Sequence, residues 1–255
     1  MKIASWNVNS LKVRLDHVLD WLQSEQPEVL GLQETKLKDE NFPLEAIEAA
    51  GYHAVFSGQP TYNGVALVSR EPASDVALEV PDFGDPHKRV IAGTFGGVRV
   101  INLYVVNGKA VGDPKYHWKL EWLAAVTGWI AEEIQRHDKL VVVGDFNIAP
   151  EDRDIHDPEA WHERILCSTP EREALARMMA LGLSDVYRQF DQPERIYSWY
   201  DYRQMAFRRK MGLRIDLVLA SEALAEACIA SAIDLEPRRL ERPSDHAPVW
   251  AEFDL

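Results

Sequence analysis

Apolar residues along this chain follow two periods. Short runs rich in Val, Ile and Leu, bounded by Gly, Pro, Asn or Asp, read as strands over residues 3–8, 29–33, 53–57, 65–69, 98–105, 140–144, 215–220 and 249–253. Segments with apolar positions three and four apart read as helices over residues 13–24, 44–50, 115–135, 170–181 and 222–228. In the longest of these, Trp118, Trp122, Val126 and Trp129 form one stripe, which is a core-facing face and not a cofactor box. No helix intervenes between the strands at 65–69 and 98–105. A simple strand–helix–strand repeat therefore fails, and mixed sheets covered by helices fit better. No low-complexity linker or fixed-period repeat divides residues 1–255, which read as one domain.

Composition narrows the class. The chain has 255 residues, 46% hydrophobic and 27% charged, which is ordinary globular composition. Cys167 and Cys228 are too few and too scattered for a disulfide framework or a zinc site, so a reducing cytoplasm is the expected home. There is no apolar signal core and no long uninterrupted apolar run, so no membrane association is expected. The net charge of −13 argues against polyanion binding by the whole surface. A local exception runs from Arg203 to Arg214. It holds five cations and follows Tyr197, Trp199, Tyr200 and Tyr202. Basic residues interleaved with aromatics suit phosphate contact and base stacking.

The polar residues that interrupt apolar runs carry the chemistry. Asn7 and Asn9 stand at the end of the first strand, Glu34 at the end of the second, and Tyr104 and Asn107 within the run ending LYVVNG. In GDFNIAP, side-chain alternation turns Asp145 and Asn147 the same way and Phe146 into the core. Asp216 sits inside the apolar run LRIDLVL, and Ser244-Asp245-His246 precedes the last strand. Taken singly, each has a plain structural explanation: a turn Asn, a capping Glu34, an Asp216 paired with a neighbouring arginine, a structural His246. An acid within a strand must nevertheless be compensated. Strand ends are also where ligands collect in α/β proteins. The joint functional reading therefore outweighs the separate ones.

Oxygen ligands without a cysteine or multi-histidine cluster suit Mg²⁺, with Mn²⁺ able to substitute. One histidine beside aspartates suits phosphoryl chemistry. A serine nucleophile elbow, a phosphate loop ending in Lys-Ser/Thr and a dinucleotide fingerprint are all missing, so no nucleotide cofactor is expected.

The blocks SWNVNSLKVR, LQETK, LYVVNG, GDFNIAPED, YSWYDYR, GLRIDLVLAS and RPSDHAP run in order from residue 5 to 248. They resemble the signature blocks of the exonuclease III family of abasic-site endonucleases, within the endonuclease/exonuclease/phosphatase superfamily. The resemblance implies a four-layer α/β sandwich, two packed mixed β-sheets flanked by helices as in DNase I. It implies a metal site with Glu34 as principal ligand and Asn7 beside it, and with Asp145, Asn147, Asp245 and His246 contributing. It implies that Asp145 orients or deprotonates water, that Asn147 contacts phosphate and that water, and that Tyr104 reaches the scissile phosphate. Asp216 and His246 would pair beside that phosphate.

By the same resemblance, Asn107, Trp199, Tyr202, Arg203, Met205, Arg208, Arg209 and Arg214 face DNA, with Trp199 on the wall of a small pocket for an extrahelical sugar. The chain departs from the family pattern at Val106, where Pro is common, and at Gln204-Met205, where a small pair is common. The segment 161–169, holding Leu166 and Cys167, also varies near that pocket. These departures bear on substrate preference and spare the catalytic positions. The expected activity is Mg²⁺-dependent cleavage of duplex DNA 5′ to abasic sites, with removal of 3′-blocking groups or nucleotides, by a monomer. Three rivals are a 3′-phosphodiesterase and exonuclease with weak abasic cleavage, the same fold acting on lipid or inositol phosphates, and a non-catalytic DNA-damage binding module.

Overall fold

Strands apolar on both faces must be covered on both, and the computed structural model, which describes residues 1–255, shows how. In chain order the elements are β1 (Lys2–Asn7), α1 (Leu11–Glu25), β2 (Val29–Gln33), α2 (Leu44–Ala49), β3 (His53–Ser57), β4 (Val65–Ser69), β5 (Ser74–Ala77), β6 (Val90–Phe95), β7 (Val98–Tyr104), α3 (Pro114–Arg136), β8 (Leu140–Asp145), α4 (Pro158–Trp161), α5 (Thr169–Met179), β9 (Leu183–Asp185), β10 (Asp216–Ser221), α6 (Glu222–Glu226), β11 (Cys228–Ile233) and β12 (Val249–Phe253). They form two six-stranded mixed sheets, ordered β11-β12-β1-β2-β4-β3 and β5-β6-β7-β8-β10-β9.

Three apolar layers separate four layers of structure. Ile3, Val29, Val65 and Leu67 of the first sheet meet Val100, Val141, Val143 and Val218 of the second. The first sheet's other face packs on α1 and α2 through Trp6, Leu30, Val18 and Ile47. The second sheet's other face packs on α3 and α5 through Leu103, Val142, Trp122, Val126 and Leu175. The expected four-layer sandwich and the tryptophan stripe of α3 are both present.

Four strands were not anticipated: β5, β6, β9 and β11. The β6–β7 pair is a hairpin turned by Gly96-Gly97, whose φ values of 55° and 83° need glycine. Cys228, expected at the end of a helix, instead begins β11, and α6 stops at Glu226.

Two features align the strand ends. The buried Asn102 of β7 donates across the core to the carbonyls of Leu32 and Ala66, 2.9 Å each, and accepts from Gln33 at 2.6 Å. This polar tie sets one sheet against the other. Gly144 lets β8 run close to β7, since a Cβ there would stand 2.0 Å from the Leu103 carbonyl oxygen. The ends of β1, β2, β7 and β8 and the start of antiparallel β10 therefore fall together, with Asp216 opposite Asp145.

Candidate active site

Every polar strand-end residue singled out in the sequence lies at this one edge. Asn7 ends β1 and donates through Nδ2 to Glu34 Oε1 at 3.0 Å and to Asp145 Oδ2 at 2.9 Å. Glu34 also pairs with Lys36 at 2.8 Å. Asp145 Oδ1 accepts from the Asn147 backbone N–H at 2.9 Å, and Asn147 Oδ1 accepts from Asn107 at 3.0 Å. His246 Nδ1 meets Asp216 Oδ2 at 2.8 Å, while its Nε2 lies 3.8 Å from Asp145 Oδ2. Asp216 therefore pairs with the histidine and not with an arginine. The backbone here is held in unusual conformations: Asn9, Glu34, Lys36 and Asn147 all have positive φ. Such residues persist only where surrounding contacts impose them, typically at functional sites.

Burial and charge set the protonation states. Burial pushes the Asp145 carboxyl up to about 7, with the Asp216 and Glu34 charges adding and His246 opposing. Burial alone would lower the His246 pKa. The charges of Asp216 and Asp145 outweigh it and raise that pKa to about 10. Burial likewise works against ionised Glu34, but the Lys36 ammonium prevails and holds its pKa below the usual range. Burial, reinforced by the Glu34 charge, lifts Tyr104 well above an ordinary phenol. The edge thus offers a carboxylate able to take a proton near neutrality, a cationic imidazole and a phenolic donor.

The donor set fits a hard divalent cation. It is rich in carboxylate and amide oxygen and has no thiol. Ligand atoms of Asp145, Asp216 and His246 lie within 4.8 Å of one another, and the buried Asp216 Oδ1 has no hydrogen-bond partner. Asp245, expected among the ligands, lines the same cleft as Glu34, Asp145 and His246. It accepts from Asn9 at 2.9 Å and from the Trp199 indole at 3.0 Å, and so fixes that wall of the cleft.

The site opens into a cleft of about 690 Å³. Beyond the strand edge it is lined by Trp199, Met211, Ile215, Trp161, Ile165 and Leu166. Tyr202, Arg203, Met205, Arg208 and Arg209 are exposed beside it. Arg203 is tied to Asp201 at 2.5 Å, and Met205, at 63% exposure, stands at the rim without lining the cleft. Arg214 corrects the expectation of a DNA contact. It is buried and bonded to Asp154 Oδ1 at 2.6 Å and Asp185 at 2.7 Å, so it cannot reach a ligand.

Three further cations, which no sequence motif singles out, stand at the site. Lys36 neutralises Glu34; Arg14 braces the Asn9 carbonyl at 2.6 Å and the Tyr202 hydroxyl at 3.1 Å; Arg164 lines the cleft. Lys36 was the most findable, standing two residues after the strand-end acid in LQETK.

Fold and site together define the class: an α/β-sandwich phosphodiester hydrolase. Residues 4–246 match the endonuclease/exonuclease/phosphatase family, and the chain belongs to it. It is 36% identical to the exodeoxyribonuclease III of Haemophilus influenzae, over 99% of this chain and 100% of that one. Among solved structures it superposes on a 3′ phosphatase from Neisseria bound to product DNA hairpin, with TM-score 0.98, 52% identity and full coverage of both chains. An AP endonuclease from Archaeoglobus fulgidus gives TM-score 0.96 and 38% identity, again over all of both chains.

Proposed function

We propose that this protein is a Mg²⁺-dependent DNA-repair phosphodiesterase that acts on abasic sites and 3′ ends of duplex DNA. The observation carrying this reading is the buried Asp145–His246–Asp216 constellation beside Glu34, set at the mouth of an aromatic cleft. Glu34, Asp145 and Asn7 would hold Mg²⁺, which when bound supplies positive charge to the phosphate oxygens. Asp145 accepts a proton from water, a role that its place beside Asn147 and His246 allows. His246, kept cationic by Asp216, stabilises the charge that develops on phosphate. Asn147 donates to a phosphate oxygen, and Tyr104 donates its phenolic proton toward the leaving oxygen. Lys36, Arg14, Arg208 and Arg209 offset the −13 charge locally where DNA would approach. No helix is long and apolar enough to cross a membrane. Free Cys167 and Cys228 fit a reducing cytoplasm, and the open cleft fits a monomer.

One observation favours a bias toward 3′ ends: the 52% and 53% identical structures are described as a 3′ phosphatase and a 3′-5′ exonuclease. The test uses three labelled duplexes: an internal abasic analogue, a recessed 3′ end and a 3′-phosphate. Each is incubated with Mg²⁺ or EDTA beside Asp145→Asn. Metal-dependent cleavage lost in Asp145→Asn is expected. A protein that binds abasic duplex but cleaves none of the three is a binding module and sinks the proposal.

A further inference from the structure

Lys119 lies on α3, outside the set of catalytic side chains, and is fully buried. An ammonium has three protons to donate, and here each has a taker. Lys119 Nζ donates to the Asn147 carbonyl at 2.7 Å, reaches the Asn107 carbonyl at 3.4 Å and pairs with Glu171. Glu171 is also fully buried. Its carboxylate accepts from the backbone N–H groups of Leu166 and Ser168, 3.1 Å each, and from Ser168 Oγ at 2.7 Å. One ion pair thus gathers three loops: the one after β7, the one after β8 and the one before α5.

The positions it grips are the ones that need gripping. Asn147 has φ 49° and Leu166 has φ 72°, both in the left-handed region that non-glycine residues rarely occupy. Lys119 holds the first through its carbonyl, and Glu171 holds the second through its N–H. Ala149 N–H then donates to the Leu166 carbonyl at 2.8 Å, closing the loop-to-loop path. Gly108 belongs to the same device. A Cβ there would meet Ile165 Cδ1 at 2.9 Å and Lys119 Cδ at 3.3 Å. Glu171 also completes a capping box with Ser168 at the start of α5. Capping uses Oε2 and leaves unexplained why Oε1 meets a buried ammonium bound to the catalytic loop.

We propose that the Lys119–Glu171 pair is a positioning strut. It sets the Asn147 amide relative to Asp145 and, through the same bonds, sets the Ile165–Leu166 wall of the cleft, so reacting centre and substrate wall move as one. Lys119 is a positioning residue, since it touches neither substrate nor reacting atoms. The inference rests on the phosphodiesterase reading for its kinetic consequence but not for its structural one.

The test compares wild type, Lys119→Met and the doubly neutral Lys119→Met/Glu171→Gln. The double variant keeps an acceptor for Ser168 and leaves no buried charge unpaired. It therefore remains informative if the single variant fails to fold. Backbone amide exchange is measured at Asn147, Ala149 and Leu166, and cleavage of 3′-phosphate and abasic duplexes is measured alongside. In the double variant we expect at least tenfold faster exchange at those amides, with α1 and β12 unchanged. We expect kcat to fall about tenfold to a hundredfold while KM moves less than threefold. Exchange and kcat both at wild-type values overturn the strut. Faster exchange with unchanged kcat overturns its positioning role and leaves a structural ion pair. If wild type cleaves no DNA, the phosphodiesterase reading fails, and the exchange data alone decide whether the pair couples the two loops.

Discussion

Asp154 and Asp216 are buried to the same degree, each 1% exposed, but they are compensated differently. Asp154 has both oxygens matched: Oδ1 by Arg214 at 2.6 Å and by Arg188, Oδ2 by Arg214 at 3.2 Å and by the Glu151 N–H at 3.1 Å. Asp216 is met by one histidine through Oδ2, and its Oδ1 has no partner. One carboxylate is satisfied by the fold. The other retains capacity, and so does its neighbour Asp145, whose pKa is pushed up to about 7 by burial in a site crowded with acids. Natural folds satisfy buried polar groups almost everywhere. Around Asp154 the unmatched atoms are Arg214 Nη1, Arg188 Nε and Asp185 Oδ1, whereas at the strand edge the unmatched atom is on the carboxylate beside the cleft, and that difference marks the working site.

Breaking each region should have opposite consequences. His246→Asn should lower turnover at least about a thousandfold, equivalent to about 4 kcal/mol, because it removes a fixed charge from the developing oxyanion. It should leave a folded protein. Steady-state cleavage checks this, and a loss below about tenfold removes His246 from the reaction. Asp154→Asn should cost about 3–5 kcal/mol of stability, since it leaves Arg214 and Arg188 without their carboxylate. The fraction that remains folded should keep turnover within about threefold of wild type. Denaturant unfolding beside kinetics decides; an Asp154→Asn protein of normal stability would erase the contrast.

Much of the site was legible because its residues stand where apolar patterning should continue. Asp145 after Leu140–Val143 and Asp216 before Leu217–Leu219 interrupt strands, and an interruption that folding tolerates needs a reason. Arg214 was misread for the complementary cause. It ends a basic run, and its partners Asp154 and Asp185 lie 60 and 29 residues away, so no local pattern announces its burial. Lys119 hides the same way, with Glu171 52 residues distant. Strand β11, Cys228–Ile233, lacks clean alternation, and its pairing with β12 carries a register irregularity, so only the sheet defines it. The β6–β7 hairpin did carry a local signal, the Gly96-Gly97 pair, which the strand count overlooked.

The titration of the under-compensated region gives a smaller but sharper test. In metal-free protein the His246 imidazole should titrate near 10, not 6.5. The raised value means the folded state binds this proton more tightly. The associated stability is complete below pH 6.5 and disappears as pH rises through about 10. Asp145 has the same sign. Its pKa rises from 3.8 to about 7, so its contribution is complete below 3.8 and is lost as pH rises through about 7. Asp145→Asn should therefore raise the melting temperature at pH 8 while abolishing cleavage. Asp216→Asn should lower the His246 pKa, because burial then acts against one carboxylate fewer. Imidazole NMR shifts followed against pH check both values, and a His246 already neutral at pH 7 contradicts the electrostatic argument.

The smallest expected effect lies at the rim, where neither region is involved. Gln204 and Met205 occupy consecutive left-handed conformations, φ 58° and 52°, and Met205 is 63% exposed beside the cleft. A glycine adopts that backbone without steric cost but leaves a more flexible unfolded chain, so Met205→Gly should change stability by less than about 1 kcal/mol. What it removes is an adaptable apolar side chain on the face proposed to receive DNA. The ratio of abasic incision to 3′ trimming should therefore shift about threefold or more, while the His246 titration stays in place. An unchanged ratio would take Met205 out of substrate choice and leave that choice to the cleft walls, Trp161 to Leu166, whose position depends on Glu171.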